Sequence, residues 1–363
     1  MIPRNFCSAL LVLLLGLSST ISLASPLSEK EQAMVAWIDA NQESAISLLA
    51  ETVNIGSGTM NHEGVRAVGR LMSTELDALG LETQWIEMPP EMNRAGHLFA
   101  RKEGTGKKLL LIGHLDTVFE SDDDFQAFTR TGNIATGPGI SDMKDGNAVI
   151  IYALKALQHI GVLDDMSVTV AFTGDEEMTG KPLSISRKDL IEAGKWADIT
   201  LGFEGAITSE GSDWATIARR SSSGWTLKVT GRQAHSSGVF SDRVGAGAIN
   251  EAARILNTFY EEVRGDYGLT FNAGTIQGGT AINYDATQNR GTTFGKTNVV
   301  PSVAIVDGGI RALSLDQLAK AKAEMVDIVA DNLPHTQASI SFVDSYPPMP
   351  PSDGNRKLAD RLS

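Results

Sequence analysis

Short apolar runs that stop abruptly on acidic residues constrain this chain more than any other feature. Residues 107–113, 168–172 and 199–203 each read as a buried strand, and each leads at once into a carboxylate-bearing loop. "LLLIGHLDTVF" reaches His114 and Asp116, "VTVAFTGDEEMTG" reaches Asp175, Glu176 and Glu177, and "LGFEGA" reaches Glu204. A helical pattern over 148–160 is apolar nearly all round, with Gly161 as its stop. Before it lies a glycine-rich loop, "GPGISDMKDG", that carries Asp142; Asp145 in the same loop is read as the helix cap rather than a site residue. Two amphipathic helical stretches, 28–55 and 63–80, precede the first strand. Alternating strands and helices predict an α/β fold on a mainly parallel sheet. Ligands of such sheets bind outside the carboxyl ends of the strands.

Side-chain chemistry points to the same edge. In an extended chain, positions i and i+2 share a face, so His114 and Asp116 can touch. A carboxylate on one imidazole nitrogen fixes the tautomer and frees the other nitrogen for a metal. The plain alternative is a histidine closing a strand before an ordinary turn aspartate. Four acidic loops converging on one edge repel strongly unless cations lie between them. With a histidine among them, they suit zinc or another divalent ion, and two ions about 3.5–4 Å apart form a hydrolytic clamp. Glu176 and Glu177 are neighbours, so their side chains diverge: one can ligate metal while the other holds the attacking water as general base. Taken singly, each carboxylate also reads as a solvated loop residue.

From about Ser221 the rhythm changes. The segments "GWTLKVTG", "DRVGAGAINEAARILNTFYEEV", "LTFNAGTIQGG", "NVVPSVAIVDGGIRAL", "SLDQLAKAKAEMVDIVADNLP" and "ASISFVDS" follow the order βαββαβ, a ferredoxin-like unit inserted in the first domain. At the other end, Arg4 and the apolar "SALLVLLLGLSSTISLA" predict a signal peptide over 1–24, cleaved after Ala24 and too short for a membrane span. The mature chain is then secreted or periplasmic, with no membrane association after cleavage. Cys7, the sole cysteine, leaves with the signal, which excludes disulfides, thiolate metal sites and cysteine nucleophiles. Any metal must be held by His, Asp and Glu. A net charge of -13 argues against nucleic acid or an anionic membrane as partner.

In identity, order and spacing, "GHLDTVF", "GPGISDMKDG", "TGDEEMTG" and "GFEG" resemble the zinc-dependent aminoacylase/glutamate carboxypeptidase metallopeptidases, and the resemblance runs from about residue 30 onward. It implies that His114 and Glu204 bind one zinc, that Glu177 binds a second, and that Asp142 bridges them. Asp116 would orient His114, and Glu176 would be the general base. The implied division is a catalytic domain over 25–218, an inserted lid and dimerisation domain over 219–335, and a return to the catalytic domain over 336–363. His235 in "TGRQAHSSG" corresponds to a histidine that crosses a homodimer to polarise the scissile carbonyl; on its own it reads equally as a surface-loop residue. Asn298 in "TNVVPS" and Arg311 in "GGIRAL" correspond to residues that bind a substrate carboxylate. Without the resemblance, Arg311 is a strand-edge surface arginine. Glu204, where aminopeptidase relatives tend to carry Asp, leans towards carboxypeptidase or aminoacylase substrates.

The expected activity is therefore hydrolysis of an amide next to a free carboxylate, on a small peptide or N-acyl amino acid, by metal-activated water. An N-acyl amino acid deacylase is the alternative. The family's last zinc ligand, a histidine, is expected to lie beyond Ser363, which makes a truncated chain that only dimerises a further alternative. His62, His97, His159 and His335 have no partners by spacing and are read as structural or exposed.

Overall fold

The computed structural model describes residues 27–205, 207–286 and 290–361, so the expected signal peptide lies outside the described residues. The chain divides after Gly205 into two compact units.

In the first unit, helix α1 (Glu29–Val53) opens on a capping box: the Ser28 hydroxyl accepts the Glu31 amide and the Glu31 carboxylate accepts the Ser28 amide. Helix α2 (His62–Ala78) buries Val65, Val68, Met72 and Leu76 along one stripe. There follow β1 (Glu82–Ile86), β2 (His97–Lys102), β3 (Lys108–His114) and a small hairpin of β4 (Thr129–Thr131) and β5 (Ile134–Thr136). Helix α3 (Asp145–His159), β6 (Ser167–Thr173), α4 (Leu183–Ser186), α5 (Lys188–Trp196) and β7 (Ile199–Gly202) complete the unit.

The sheet order is β1-β2-β6-β3-β7. β3 lies between β6 and β7 and is parallel to both, whereas β2 is antiparallel to β1 and to β6. The sheet is thus mixed, with a parallel half carried by helical crossovers and an antiparallel margin in which β1 leads into β2 without one. One face packs Leu111, Val168, Val170 and Phe172 against α2 and against Ile150, Ile151 and Leu154 of α3. The other packs Phe99, Leu110 and Ala171 against Ala193 of α5. Each such Leu, Ile, Val or Phe contributes about 1.5–3 kcal/mol on full burial. Burial on both faces shows in β6, where Ser167, Thr169 and Thr173 are buried along with the Val168, Val170 and Phe172 they alternate with.

The second unit begins with the hairpin β8 (Ile207–Ser209) and β9 (Ser212–Trp214), then β10 (Ser223–Gly231), α6 (Ala248–Thr258) and β11 (Thr270–Gly279). A further hairpin, β12 (Ala281–Asp285) and β13 (Arg290–Phe294), was not legible as strands; β14 (Val303–Arg311), α7 (Leu315–Ala330), β15 (Thr336–Asp344) and α8 (Asp353–Ala359) follow. The antiparallel order β11-β14-β10-β15 is the split βαββαβ arrangement. Trp225, Leu227 and Val229 alternate inward from β10 onto α6 and α7.

The expected end of this unit at 335 is corrected. β15 pairs with β10 from Gly231↔Thr336 to Ser223↔Asp344, so residues 336–344 supply an edge strand of the second sheet. Beyond it, Arg219 and Met349 exchange backbone hydrogen bonds at 2.9 Å in both directions, and Asn355 Nδ2 donates to the Ile217 carbonyl at 2.9 Å. Residues 345–361 therefore pack with the second unit rather than returning to the first.

Candidate metal centre

His114 closes β3, and the residue before it must be glycine. A Cβ on Gly113 would lie 2.2 Å from Asn147 Oδ1, where the buried Asn147 reaches across from α3 to donate to the His114 carbonyl at 2.6 Å. The imidazole is bonded on both sides. Nδ1 donates to the backbone carbonyl of Asp116 at 2.9 Å, with the Asp116 carboxylate further off at 3.5 Å. Nε2 lies 2.9 Å from Asp142 Oδ1 and 3.6 Å from Glu204 Oε2. One ligand atom from each of His114, Asp142 and Glu204 falls within 4.8 Å of the others.

Distant contacts place the two carboxylates. The buried Lys144 ammonium, two residues after Asp142, donates to the carbonyls of Thr52 at 2.8 Å and Ile55 at 2.9 Å, at the C-terminus of α1. A Cβ on Gly146 would lie 2.0 Å from the Phe203 carbonyl, so only glycine lets the first turn of α3 approach the exit of β7 beside Glu204. The N-cap of α3 is Lys144; Asp145 stands inside the first turn and accepts the Gly146 amide at 2.6 Å, a shift of one position from the expected cap.

The turn after β6 is pinned to Asp116. That wholly buried carboxylate accepts the Thr59 hydroxyl at 2.7 Å, the Glu176 amide at 2.9 Å and the Glu177 amide at 3.1 Å. Asp116 thus ties the His114 strand end to the Glu176–Glu177 turn, and its own carbonyl, more than its side chain, meets the imidazole. Glu177 Oε1 is buried with no hydrogen-bond partner.

Charge in this cluster is short of cations. Burial disfavours a charged His114, but the Asp116 and Glu204 carboxylates outweigh it and push the imidazole up to about 11. Burial, then repulsion from Asp142, pushes Glu177 up to about 7. Burial and the neighbouring Glu204 raise the Asp142 carboxyl, while the His114 hydrogen bond holds Glu204 below its usual range. Burial is also the chief cause of the rise at Glu176. One imidazole and several carboxylates, one of them with an orphaned buried oxygen, form a donor set that fits a divalent cation.

The remaining sequence-predicted residues lie in the second unit. His235 accepts the Ser237 amide on Nδ1 at 3.2 Å, which leaves Nε2 as the protonated nitrogen of the neutral ring. Its loop is strapped to that of Asn298: the Ser236 amide donates to the Asn298 carbonyl at 2.9 Å and the Val300 amide to the Ala234 carbonyl at 2.8 Å. Arg311 ends β14, and the loop with Asn298 precedes its start at Val303. Eight residue steps at about 3.3 Å put roughly 26 Å between the ends of that strand. The structure brings His235 and Asn298 together and holds Arg311 apart from both.

A model of the M20 peptidase dimerisation domain matches residues 217–337. Carboxypeptidase G2 of Pseudomonas sp. (strain RS-16) is 30% identical over 325 residues, 88% of this chain and 72% of that protein. The chain belongs to the M20 metallopeptidase family. It is accordingly a metal-dependent hydrolase with a peptidase dimerisation domain. Among other M20 relatives, succinyl-diaminopimelate desuccinylase of Cupriavidus pinatubonensis is 28% identical over 283 residues, 73% of this chain and 68% of that one. Aminopeptidase PepT of Bacillus cereus shares the fold with a TM-score of 0.66 at 17% identity, covering 89% of this chain and 83% of that structure.

Four residues of this M20 site escaped sequence reading: Thr59, Lys144, Asn147 and Arg187. Thr59, Lys144 and Asn147 act through contacts far away in the chain, and Arg187 folds back across a turn to Asp175, so no local pattern marks any of them. The histidines read as structural behave so. His97 is buried and bonded at both nitrogens, His62 meets the Asn93 carbonyl, His159 stacks on Trp37 and His335 meets the Asp242 carbonyl.

Proposed function

We propose that the chain is a glutamate carboxypeptidase-like amidohydrolase that cleaves an amide next to a free carboxylate. The observation that carries this reading is the His114–Asp142–Glu204 group beside a glutamate pair whose amides are pinned to Asp116. In this reading His114 and Glu204 would hold one zinc ion and Glu177 a second, with Asp142 shared between them. When bound, zinc polarises the amide carbonyl and acidifies water. Glu176 would hold the attacking water, take its proton and return it to the departing amine, a role suited to a carboxyl raised by burial. His235 offers its Nε2–H to the developing oxyanion, with Asn298 beside it. Arg311 binds the substrate carboxylate through its planar fork. Because Arg311 lies far from His235 in one chain, the three fit a single substrate when His235 and Asn298 come from one protomer of a homodimer and Arg311 from the other. Residues 1–24 direct the chain to the periplasm or outside the cell. The name of the carboxypeptidase relative supports the choice of substrate end.

A second reading, an N-acyl amino acid deacylase, is supported by the likeness to the desuccinylase and to acetylornithine deacetylase of Pasteurella multocida, 28% identical over 232 residues. Zinc-loaded protein is offered N-acyl-glutamates and, separately, N-acetyl derivatives of neutral and basic amino acids. Release of glutamate in preference to the other amino acids is expected. Turnover of the acetyl substrates alone would transfer the assignment to the deacylase.

A further inference from the structure

Two peptide groups flank Glu176, and both are hydrogen-bonded at each end. In the first, the Glu176 amide donates to Asp116 Oδ1 at 2.9 Å while the Asp175 carbonyl accepts from Arg187 Nη2 at 3.1 Å. In the second, the Glu177 amide donates to Asp116 Oδ2 at 3.1 Å while the Glu176 carbonyl accepts from the Thr179 hydroxyl at 3.2 Å. Thr179 Oγ1 in turn accepts from Arg187 Nη2 at 3.2 Å. Arg187 also pairs with Asp175 Oδ1 at 2.6 Å, and both side chains are buried. The second Asp175 oxygen takes the Gly180 amide at 2.9 Å, and Ser186 Oγ donates to the Gly180 carbonyl at 2.7 Å. His97 closes the frame, accepting the Gly174 amide on Nδ1 at 3.1 Å and donating from Nε2 to the Ser186 carbonyl at 2.9 Å.

We propose that Arg187 is a positioning residue, which through Asp175 and Thr179 sets the directions of Glu176 and Glu177. The reading rests on those two glutamates serving as base and ligand. A buried ion pair adds little net stability over a well-packed apolar replacement, so stability alone gives weak reason for an arginine here. Orientation gives a stronger one. The guanidinium is a rigid planar fork whose donors reach Asp175 Oδ1, the Asp175 and Ser186 carbonyls and Thr179 together, and a lysine ammonium cannot span them. Adjacent carboxylates repel, and without fixed peptide planes their side chains would splay towards solvent. The three acidic residues in sequence thus divide: Asp175 anchors, and Glu176 and Glu177 face the cluster around His114.

Arg187→Lys and Thr179→Val test this in the full chain, with folding checked by circular dichroism. Zn²⁺ affinity is read by chelator competition, amide exchange at 174–180 by mass spectrometry, and kcat and KM separately. Arg187→Lys is expected to bind Zn²⁺ about 10–100-fold more weakly, as when a supporting partner of a metal ligand is lost. Exchange at Glu176 and Glu177 should quicken, and kcat should fall with KM little changed. Thr179→Val, which removes the hydroxyl between Arg187 and the Glu176 carbonyl but keeps the Arg187–Asp175 pair, should move all three the same way by less. Wild-type Zn²⁺ affinity and slow exchange in folded Arg187→Lys would overturn the proposal. Should that variant not fold, unchanged exchange and affinity in Thr179→Val would overturn it instead. Exchange reads the positioning without metal, so a wild-type chain that bound no Zn²⁺ would sink the functional assignment while leaving this inference to stand or fall on exchange.

Discussion

Asp116 is spaced from His114 as an orienting carboxylate would be, yet its oxygens serve the Glu176–Glu177 turn and Thr59. Asp116→Ala strips the acceptor from three donors, and each unsatisfied buried donor costs about 1–3 kcal/mol. A loss of about 3–5 kcal/mol in urea unfolding is expected, the range for breaking a buried charged network. His97 carries a pH signature. Burial lowers its pKa from 6.5, with Asp175 opposing. Below that value the unfolded chain takes up a proton that the folded ring refuses until lower pH. The stability this ring contributes is therefore present above pH 6.5 and lost as pH falls through it. Metal-free His97→Gln should show a shallower drop in urea midpoint from pH 7 to pH 5.5 (about the range this group governs) than the metal-free wild type.

Among elements, the site depends on how closely α3 meets the exits of β3 and β7. Gly146 is the point of closest approach, and an added methyl meets the Phe203 carbonyl at 2.0 Å. Gly146→Ala is expected to cost about 1–3 kcal/mol through overpacking. It should also weaken Zn²⁺ binding by shifting Glu204 away from His114, measured by unfolding and by chelator competition. A variant that loses stability but keeps its affinity would show that the carboxylate follows the helix. The strands themselves were readable because their segments are short and rich in apolar and β-branched residues. The hairpin of β12 and β13 was not, since its residues are mostly exposed and no buried face imposes a pattern.

For the whole molecule, the dimerisation domain and the distance of Arg311 from His235 bear on where a complete site forms. Glu176→Gln and His235→Ala chains should each be inactive alone. Mixed and re-equilibrated, they should regain about a quarter of wild-type activity, since half the dimers are hybrid and each hybrid has one intact site if His235 crosses between protomers. No recovery in dimers verified by sedimentation would place His235 in its own chain's site. The unit boundary also belongs to this scale. β15 was legible as the last strand of the βαββαβ unit, and its pairing with β10 carries that unit past the boundary expected at 335.

Sequence alone determined which side chains stand at strand ends. Apolar runs and glycine loops are local patterns, and they place His114, Asp142, Glu176, Glu177 and Glu204 on carboxyl-end loops before any contact is known. Which atom meets which was decided by tertiary structure. Which Asp116 oxygen is left for the imidazole, Asp175 as anchor rather than ligand, and the separation of Arg311 from Asn298 all depend on donors or strand lengths that no local pattern shows. Thr59, Asn147 and Arg187 supply those donors. Neighbouring carboxylates are chemically alike, and only the hydrogen bonds that folding brings to them tell one from another.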